Sequence, residues 1–415
     1  MNISTDKGTK NIKRIIREAT IIHKPLVKPE NTTGDCAYAL GAILQLDRET
    51  CLLVSGMEEQ EGPDLCVGND GFIFKHLDDI REENAIIINR GEYVSIDGEQ
   101  AYIIKTPMSG GFVPLGETLE DGSPHPAAGK GFLYCCCVPY KSDRSDPLPP
   151  YREFIEKIDI EWDGEHLKIC GTERLDFGSG FARASTPLTE PVPFGNGNLL
   201  TLFTLVPSAP SAAAGIYPVE FAYTTNGWRI VRIGESFGAG YYHASEPSLR
   251  KNGGRYYAAL RSDKPVVAVF ESDDGFDYRL ICEAKNHTVP RVLNLGLDGS
   301  MYLATNGFGP GFLRNPLLCY PWNGSGFDDP FSVHDENGVR DQDGDSIPFV
   351  DHAISYNVFL EGRRRHFLVY RVCDLMERTL YGFQASQRES VHKGRGRIPI
   401  RDTSGTYIIE FEYRR

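Results

Sequence analysis

Short apolar or alternating runs recur along the whole chain, and Gly, Asn, Asp or Pro interrupts nearly every one. "CLLVSG", "AIIIN", "AYIIK", "GFLYCCCV", "IDIEW", "NLLTLFTLV", "WRIVRI", "VVAVFES", "MYLATN" and "HFLVYR" are examples. With 43 glycines and 26 prolines in 415 residues, chain breakers are too frequent for long helices, so an all-β fold is expected. Only residues 8–20 and 150–157 read as helical, and briefly.

No linker or low-complexity segment divides the sequence. The Pro/Ser/Ala patch "VPSAPSAAAGIYP" (206–218) sits between two strand-like runs. Hairpin patterns recur near 93–105, 158–170, 220–232, 265–280, 317–330 and 366–385, each a strand, a polar turn with glycine and a second strand. Repetition at this spacing marks propeller blades, which cannot bury their faces alone. The expectation is one β-propeller over 35–415 with six blades, or seven, and an N-terminal extension over 1–34 packed on it.

Charge excludes some partners. The chain has 44 basic and 57 acidic residues, a net charge of −13. Its longest basic run, Arg363-Arg364-Arg365, reads as a solvated hairpin. Such a surface repels phosphate backbones, so nucleic acid is not an expected partner. No stretch approaches the roughly 20 apolar residues of a membrane span, and charge interrupts every early window that could act as a leader. The chain as it stands reads soluble and cytoplasmic, a monomer or small homo-oligomer.

The ten cysteines contain no C-x-x-C pair. In a strand, Cys135, Cys136 and Cys137 point to alternating faces and cannot form one metal face. Asp341, Asp343 and Asp345 alternate like the start of a calcium loop, but Ser346 and His352 at its sixth and twelfth positions exclude an EF-hand. No cofactor is expected, and a structural calcium at these acids is the one ion the sequence admits.

Ser272-Asp273-Asp274-Gly275-Phe276-Asp277-Tyr278 resembles the Asp-box turn of sialidase-like propellers, with "TTNGW" (224–228) and "YPWNGSGF" (320–327) as eroded copies. "EPSLRKNGGRYYAALR" resembles the sialidase motif in which a strand-borne Glu is followed fifteen residues later by an Arg; here these are Glu246 and Arg261. Arg314, ahead of a Pro-Leu strand, matches the position of a further inward Arg. Where sialidases carry an inward Tyr, "DHAISYNVFLEG" offers His352 and Tyr356. The first-blade Arg of the family has no counterpart in Cys36–Gly41, so the chain is a divergent member of the sialidase superfamily on this resemblance.

The resemblance implies a glycosidase that removes a terminal carboxylate-bearing sugar from an oligosaccharide. Glu246 would be the base, Tyr356 or His352 the group it serves, and Asp64, or Glu61 in its place, the acid from a first-blade loop. Two arginines, Arg261 and Arg314, would grip the carboxylate through forked hydrogen bonds. Uronate-specific polysaccharide lyases share the scaffold. Elimination would need a His or Tyr base beside an Arg, and His125, His243, His352, Tyr241 and Tyr242 are available. His125, Tyr242 and His243 are also expected to line the substrate pocket, although His243 takes the strand face opposite Glu246. A carbohydrate-binding propeller without activity is the third reading.

Overall fold

The computed structural model describes residues 12–15, 20–22, 36–59, 65–143, 148, 153–209, 213–241, 246–261, 266–285, 292–306, 316–335, 348–374 and 405–414. They form six antiparallel sheets that succeed one another along the chain. Blade one is Cys36–Gln45, Cys51–Glu59, Leu65–Phe74 and Ala85–Arg90. Blade two is Glu99–Val113, Lys130–Lys141, Phe154–Trp162 and Leu167–Arg174, with Glu92–Ile96 paired to the start of its first strand. Blade three is Phe181–Ser185 with Val192–Phe194, then Asn198–Pro207, Gly215–Thr224 and Gly227–Ile233.

Blade four is Ser248–Asn252, Arg255–Leu260, Val266–Ser272 and Arg279–Lys285, and blade five is Leu293–Leu295, Met301–Asn306, Leu317–Pro321 and Phe331–His334. Blade six starts as Pro348–Val350, resumes as Ile354–Leu360, and continues with Arg363–Asp374 and Gly405–Arg414. Its outer edge is completed from the other end of the chain, by Ile12–Ile15 and Thr20–Ile22 pairing with Gly405–Arg414. From blade three round to blade two, first strands of successive blades lie against one another, and blade two meets blade three through Phe154–Trp162 and Phe181–Ser185, so the blades surround a common axis. The molecule is a six-bladed β-propeller, and the seven-blade alternative is set aside.

The run "GFLYCCCV" shows why the chain folds this way. Phe132 and Tyr134 pack with Phe203, Phe221 and Trp228 of blade three, while Leu133, Cys135 and Cys137 pack with Leu44, Leu52 and Val54 of blade one. A strand covered on both sides needs apolar residues at every position, not at alternate ones. Each large side chain buried this way contributes roughly 1.5–3 kcal/mol. Burial also pushes the Cys51 and Cys135 thiols up to about 12, so they stay protonated and inert.

Residues 154–157 of the helix expected at 150–157 instead belong to the strand Phe154–Trp162, and Ile12–Ile15 within 8–20 is also a strand. Ile155 enters the core shared with blade three, whereas Ile158, Ile160 and Trp162 enter the core shared with blade one. Tertiary pairing with Lys130–Lys141 overrides local propensity. The arginine run also departs from expectation: Arg363 and Arg364 are exposed, but Arg365 is buried. Its Nε donates to Glu410 Oε1 at 3.0 Å and its Nη1 to Glu361 Oε2 at 2.6 Å, as a buried charge requires.

Turns between third and fourth strands close on their own side chains. In blade four, Asp274 Oδ1 accepts from Ser272 Oγ (2.9 Å), Phe276 N (2.8 Å) and Asp277 N (2.9 Å). Gly275 there has φ +83 and lies so close to Leu200 that a Cβ would fall 2.5 Å from its Cδ2. Asp163 in blade two and Asn323 in blade five brace the same position through two backbone amides each.

Candidate active site

The two-residue turn Gly253-Gly254, with φ values of +56 and +84, fixes the register of blade four's first hairpin. Ser248 pairs with Ala259, which brings Glu246, just ahead of the inner strand, opposite Arg261, just beyond the second. Arg261 Nη1 donates to Glu246 Oε2 at 2.6 Å, with their side chains 31% and 20% exposed. Glu246 has φ +70, a left-handed backbone that costs a non-glycine residue about 1–2 kcal/mol. Strain of this kind persists where surrounding structure holds it, and it concentrates at functional sites.

The Glu246 charge also acts on a thiol of blade two. The Cys136 thiol there is pushed up by burial first, and then by the Glu153 carboxylate, by Cys135 and by Glu246. Cys136 takes the face opposite Cys135 and Cys137, as strand alternation demands.

A second polar group occupies the break in the inner strand of blade six. His352 Nδ1 lies 2.8 Å from Asp351 Oδ1, the same oxygen that accepts the His352 backbone N–H at 2.9 Å. Arg371 Nη2 approaches Asp351 Oδ2 at 3.3 Å. The Asp351 contact assigns the proton to Nδ1, leaving Nε2 with its lone pair. That nitrogen has no partner among the described residues, although His352 is only 2% exposed. In the adjoining blade, Asn306 donates to Val350 O at 2.9 Å, and its own buried Oδ1 likewise has no partner among the described residues.

Two expected site residues are placed elsewhere. Tyr356 points toward the axis but is 2% exposed, inside a cluster with Leu188, Val292 and Ile354 from three different blades. Its hydroxyl donates to Gly41 O at 3.4 Å, and burial drives its pKa well up, so it lacks both the access and the acidity of a nucleophile. His125 lies in the loop joining the first two strands of blade two, at the opposite end of the inner strands from Glu246. Its Nε2 contacts Gly197 O at 3.1 Å and its Nδ1 accepts from Ala127 N at 3.0 Å, so both nitrogens clamp loops.

Tyr241 donates to Glu283 Oε2 at 2.8 Å on the outer side of blade four. Asp64, Glu61, Arg314, Tyr242, His243 and the acids Asp341, Asp343 and Asp345 lie outside the described residues. Among the described residues no group of three or more His, Cys, Asp or Glu could hold a metal, and no helix is long and apolar enough to cross a membrane.

Sequence reasoning missed Asp351, adjacent to His352, and Arg250, four residues after Glu246 in the same hairpin. Arg250 is an inward arginine that is 3% exposed. It is already engaged by Glu190 at 2.9 Å and by two backbone carbonyls, so it is a brace and not a free clamp.

A Trypanosoma rangeli sialidase in complex with the inhibitor DANA superposes on 97% of this chain and 59% of its own, with a TM-score of 0.56 and 11% identity. This chain has the sialidase fold. A Hadza microbial sialidase matches with a TM-score of 0.51 and 10% identity, over 81% of this chain and 63% of that one. A Dyadobacter fermentans protein of unknown function matches over 97% and 99% of the two chains, with a TM-score of 0.55 and 10% identity. The chain thus spans about three fifths of the trypanosomal sialidase and nearly the whole of the Dyadobacter protein. No protein-family model and no curated sequence matches.

Proposed function

We propose that this propeller is a glycoside hydrolase acting on a glycan with a terminal carboxylate-bearing sugar, bound where the inner strand of blade four begins. The observation that carries this reading is the strained Glu246, held 2.6 Å from Arg261 at the mouth of a sialidase-fold ring. Glu246 takes a proton from the water that attacks the anomeric carbon. The leaving oxygen receives a proton from an acid, for which Asp64 is proposed. Arg261 and Arg314 are proposed to hold the sugar carboxylate. Tyr356 has no part in this scheme because its hydroxyl is enclosed in the core.

One observation favours a second reading, β-elimination from a uronate. His352 Nε2 is unpartnered among the described residues while Nδ1 is held by Asp351. His352 is enclosed as closely as Tyr356, so this reading requires the side chains around it to part for the substrate. A base so oriented would then abstract the proton alpha to the carboxylate, with the glycosidic oxygen departing as a hydroxyl once protonated and a double bond left in the product.

The test is a time course on sialosides, other keto-acid sugars and uronate oligosaccharides, following reducing ends and ultraviolet absorbance for wild type, Glu246→Gln and His352→Gln. New reducing ends without absorbance, lost in Glu246→Gln, support hydrolysis. Absorbance that rises with cleavage and disappears in His352→Gln replaces it with elimination. No cleavage of any acidic glycan removes both.

A further inference from the structure

Blades two and three enclose a cleft of about 270 Å³ where the third strand of blade two begins, its fourth ends and the inner strand of blade three begins. Inner strands begin at the same end of the ring, so this cleft opens on the end that carries Glu246.

The cleft is preformed. Leu175 N bonds Ile155 O at 2.8 Å, Phe181 N bonds Gly178 O at 3.2 Å, and Asp176 Oδ1 accepts Gly178 N at 2.7 Å. Ile155, Leu175 and Ala184 form a buried floor. Two half-buried rings stand on it, Phe177 and Phe181, and Phe154 lines its edge from the side that packs against blade one. Phe177 is fixed edge-on against Phe203 at 5.0 Å, Phe181 against Tyr217 at 5.1 Å, and Phe154 lies 4.7 Å beneath the Arg174 guanidinium.

Four charged side chains line this apolar cleft: Arg174, Arg183, Glu153 and Asp176. They balance in charge, yet no ion pair joins any of them among the described residues, in a molecule that pairs Lys105, Lys157, Arg229, Arg250 and Arg365 with carboxylates. Planar forks of both signs beside ring faces match a pyranose, which offers an apolar C–H face and a rim of hydroxyls that donate and accept. A second carboxylate would meet Glu153 and Asp176. The volume lies just below the about 300–1,000 Å³ of pockets for drug-sized ligands, enough for one ring.

We infer that this cleft is a subsite for a single neutral sugar ring of a glycan bound on the end of the propeller that carries Glu246 and Arg261. The inference rests on the carbohydrate reading above. Arg174 and Arg183 donate to ring hydroxyls, Glu153 and Asp176 accept from them, and Phe177 and Phe181 stack on the C–H face.

Titration of the protein with neutral methyl hexosides and neutral disaccharides tests it, using wild type, Arg183→Ala, Ala182→Trp and Glu246→Gln. Ala182 is exposed and lines the cleft, so its indole variant fills the space without touching the core. Affinity for a neutral saccharide is expected to fall at least about ten-fold in Arg183→Ala and Ala182→Trp and to be unchanged in Glu246→Gln. Neutral saccharides that fail to bind wild type, or bind all variants equally, overturn the subsite. Neutral binding that tracks the cleft variants, with acidic glycans neither bound nor cleaved, keeps the subsite and sinks the proposed activity.

Discussion

The guanidinium of Arg250 in blade four donates through Nη2 to the carbonyl of Ser355 in blade six at 3.0 Å, passing across blade five. Its Nε meets Leu293 O of blade five at 3.0 Å, and Glu190 of blade three stands 2.9 Å from Nη1. One side chain thus ties four blades. Replacing it by methionine leaves two carbonyls without their donor and one carboxylate without its counter-ion, at a cost of about 3–5 kcal/mol. Urea denaturation of Arg250→Met should show one cooperative transition at a much lower midpoint. A loss below about 1 kcal/mol would mean that these contacts do not hold the ring.

Glu246 separates a functional from a structural role. Glu246→Gly relieves a left-handed backbone cost of about 1 kcal/mol and forfeits a partly exposed ion pair of about 0–1 kcal/mol, so its melting temperature should stay close to wild type. Turnover of an acidic glycan should fall at least about 100-fold. A variant that melts far lower yet retains turnover would make Glu246 a brace for Arg261 and nothing more.

Asp274 is held below the usual carboxylate range chiefly by the backbone amides of Asp277 and Phe276. A lowered folded pKa means stability present above the unfolded carboxylate pKa and lost as pH falls through the folded value. Asp274→Ala should destabilise blade four by about 1–2 kcal/mol at neutral pH, and the gap to wild type should narrow in acid. A pH-independent gap would point to packing instead.

His366 contributes acid sensitivity of the same sign over a higher window. Its Nε2 sits 2.6 Å from the Tyr302 hydroxyl and its Nδ1 2.6 Å from Asn357 Oδ1, and burial, then the Arg250 charge, push it down to about 3. Between its ordinary value near 6.5 and about 3 the unfolded chain takes up a proton that the folded one refuses. Stability is therefore complete above 6.5 and declines as pH falls through that window. His366→Gln keeps one donor and one acceptor but does not titrate, so its unfolding free energy should lose pH dependence on the order of a few kcal/mol between pH 6.5 and 4. An imidazole resonance that titrates near 6.5 in the folded protein would refute this.

Strands and turns were legible in the sequence because both are local: Gly253-Gly254 sets a hairpin register, and that register alone sets Glu246 opposite Arg261. Tyr356 was not, since facing the axis and being reachable differ. Leu188 and Val292, more than sixty residues away in sequence, enclose it from other blades. Phe154, Ile155 and Ile158 imitate a helical stripe by their spacing, and only the two flanking blades reveal them as the two sides of a strand. The cleft between blades two and three was illegible for a similar reason, because Arg174 and Arg183 belong to different sheets.

Pairing of Ile12–Ile15 and Thr20–Ile22 with Gly405–Arg414 has a consequence for biosynthesis. Ile12–Ile15 and Thr20–Ile22 are synthesised before the six blades and Gly405–Arg414 after the first five, so five blades can be assembled while the sixth still presents an unsatisfied edge. That interval is when the nascent chain is most open to chaperones and to strand exchange with another copy. Once the strands latch, the two ends of the ring hold each other, and unfolding from either one must first undo the other.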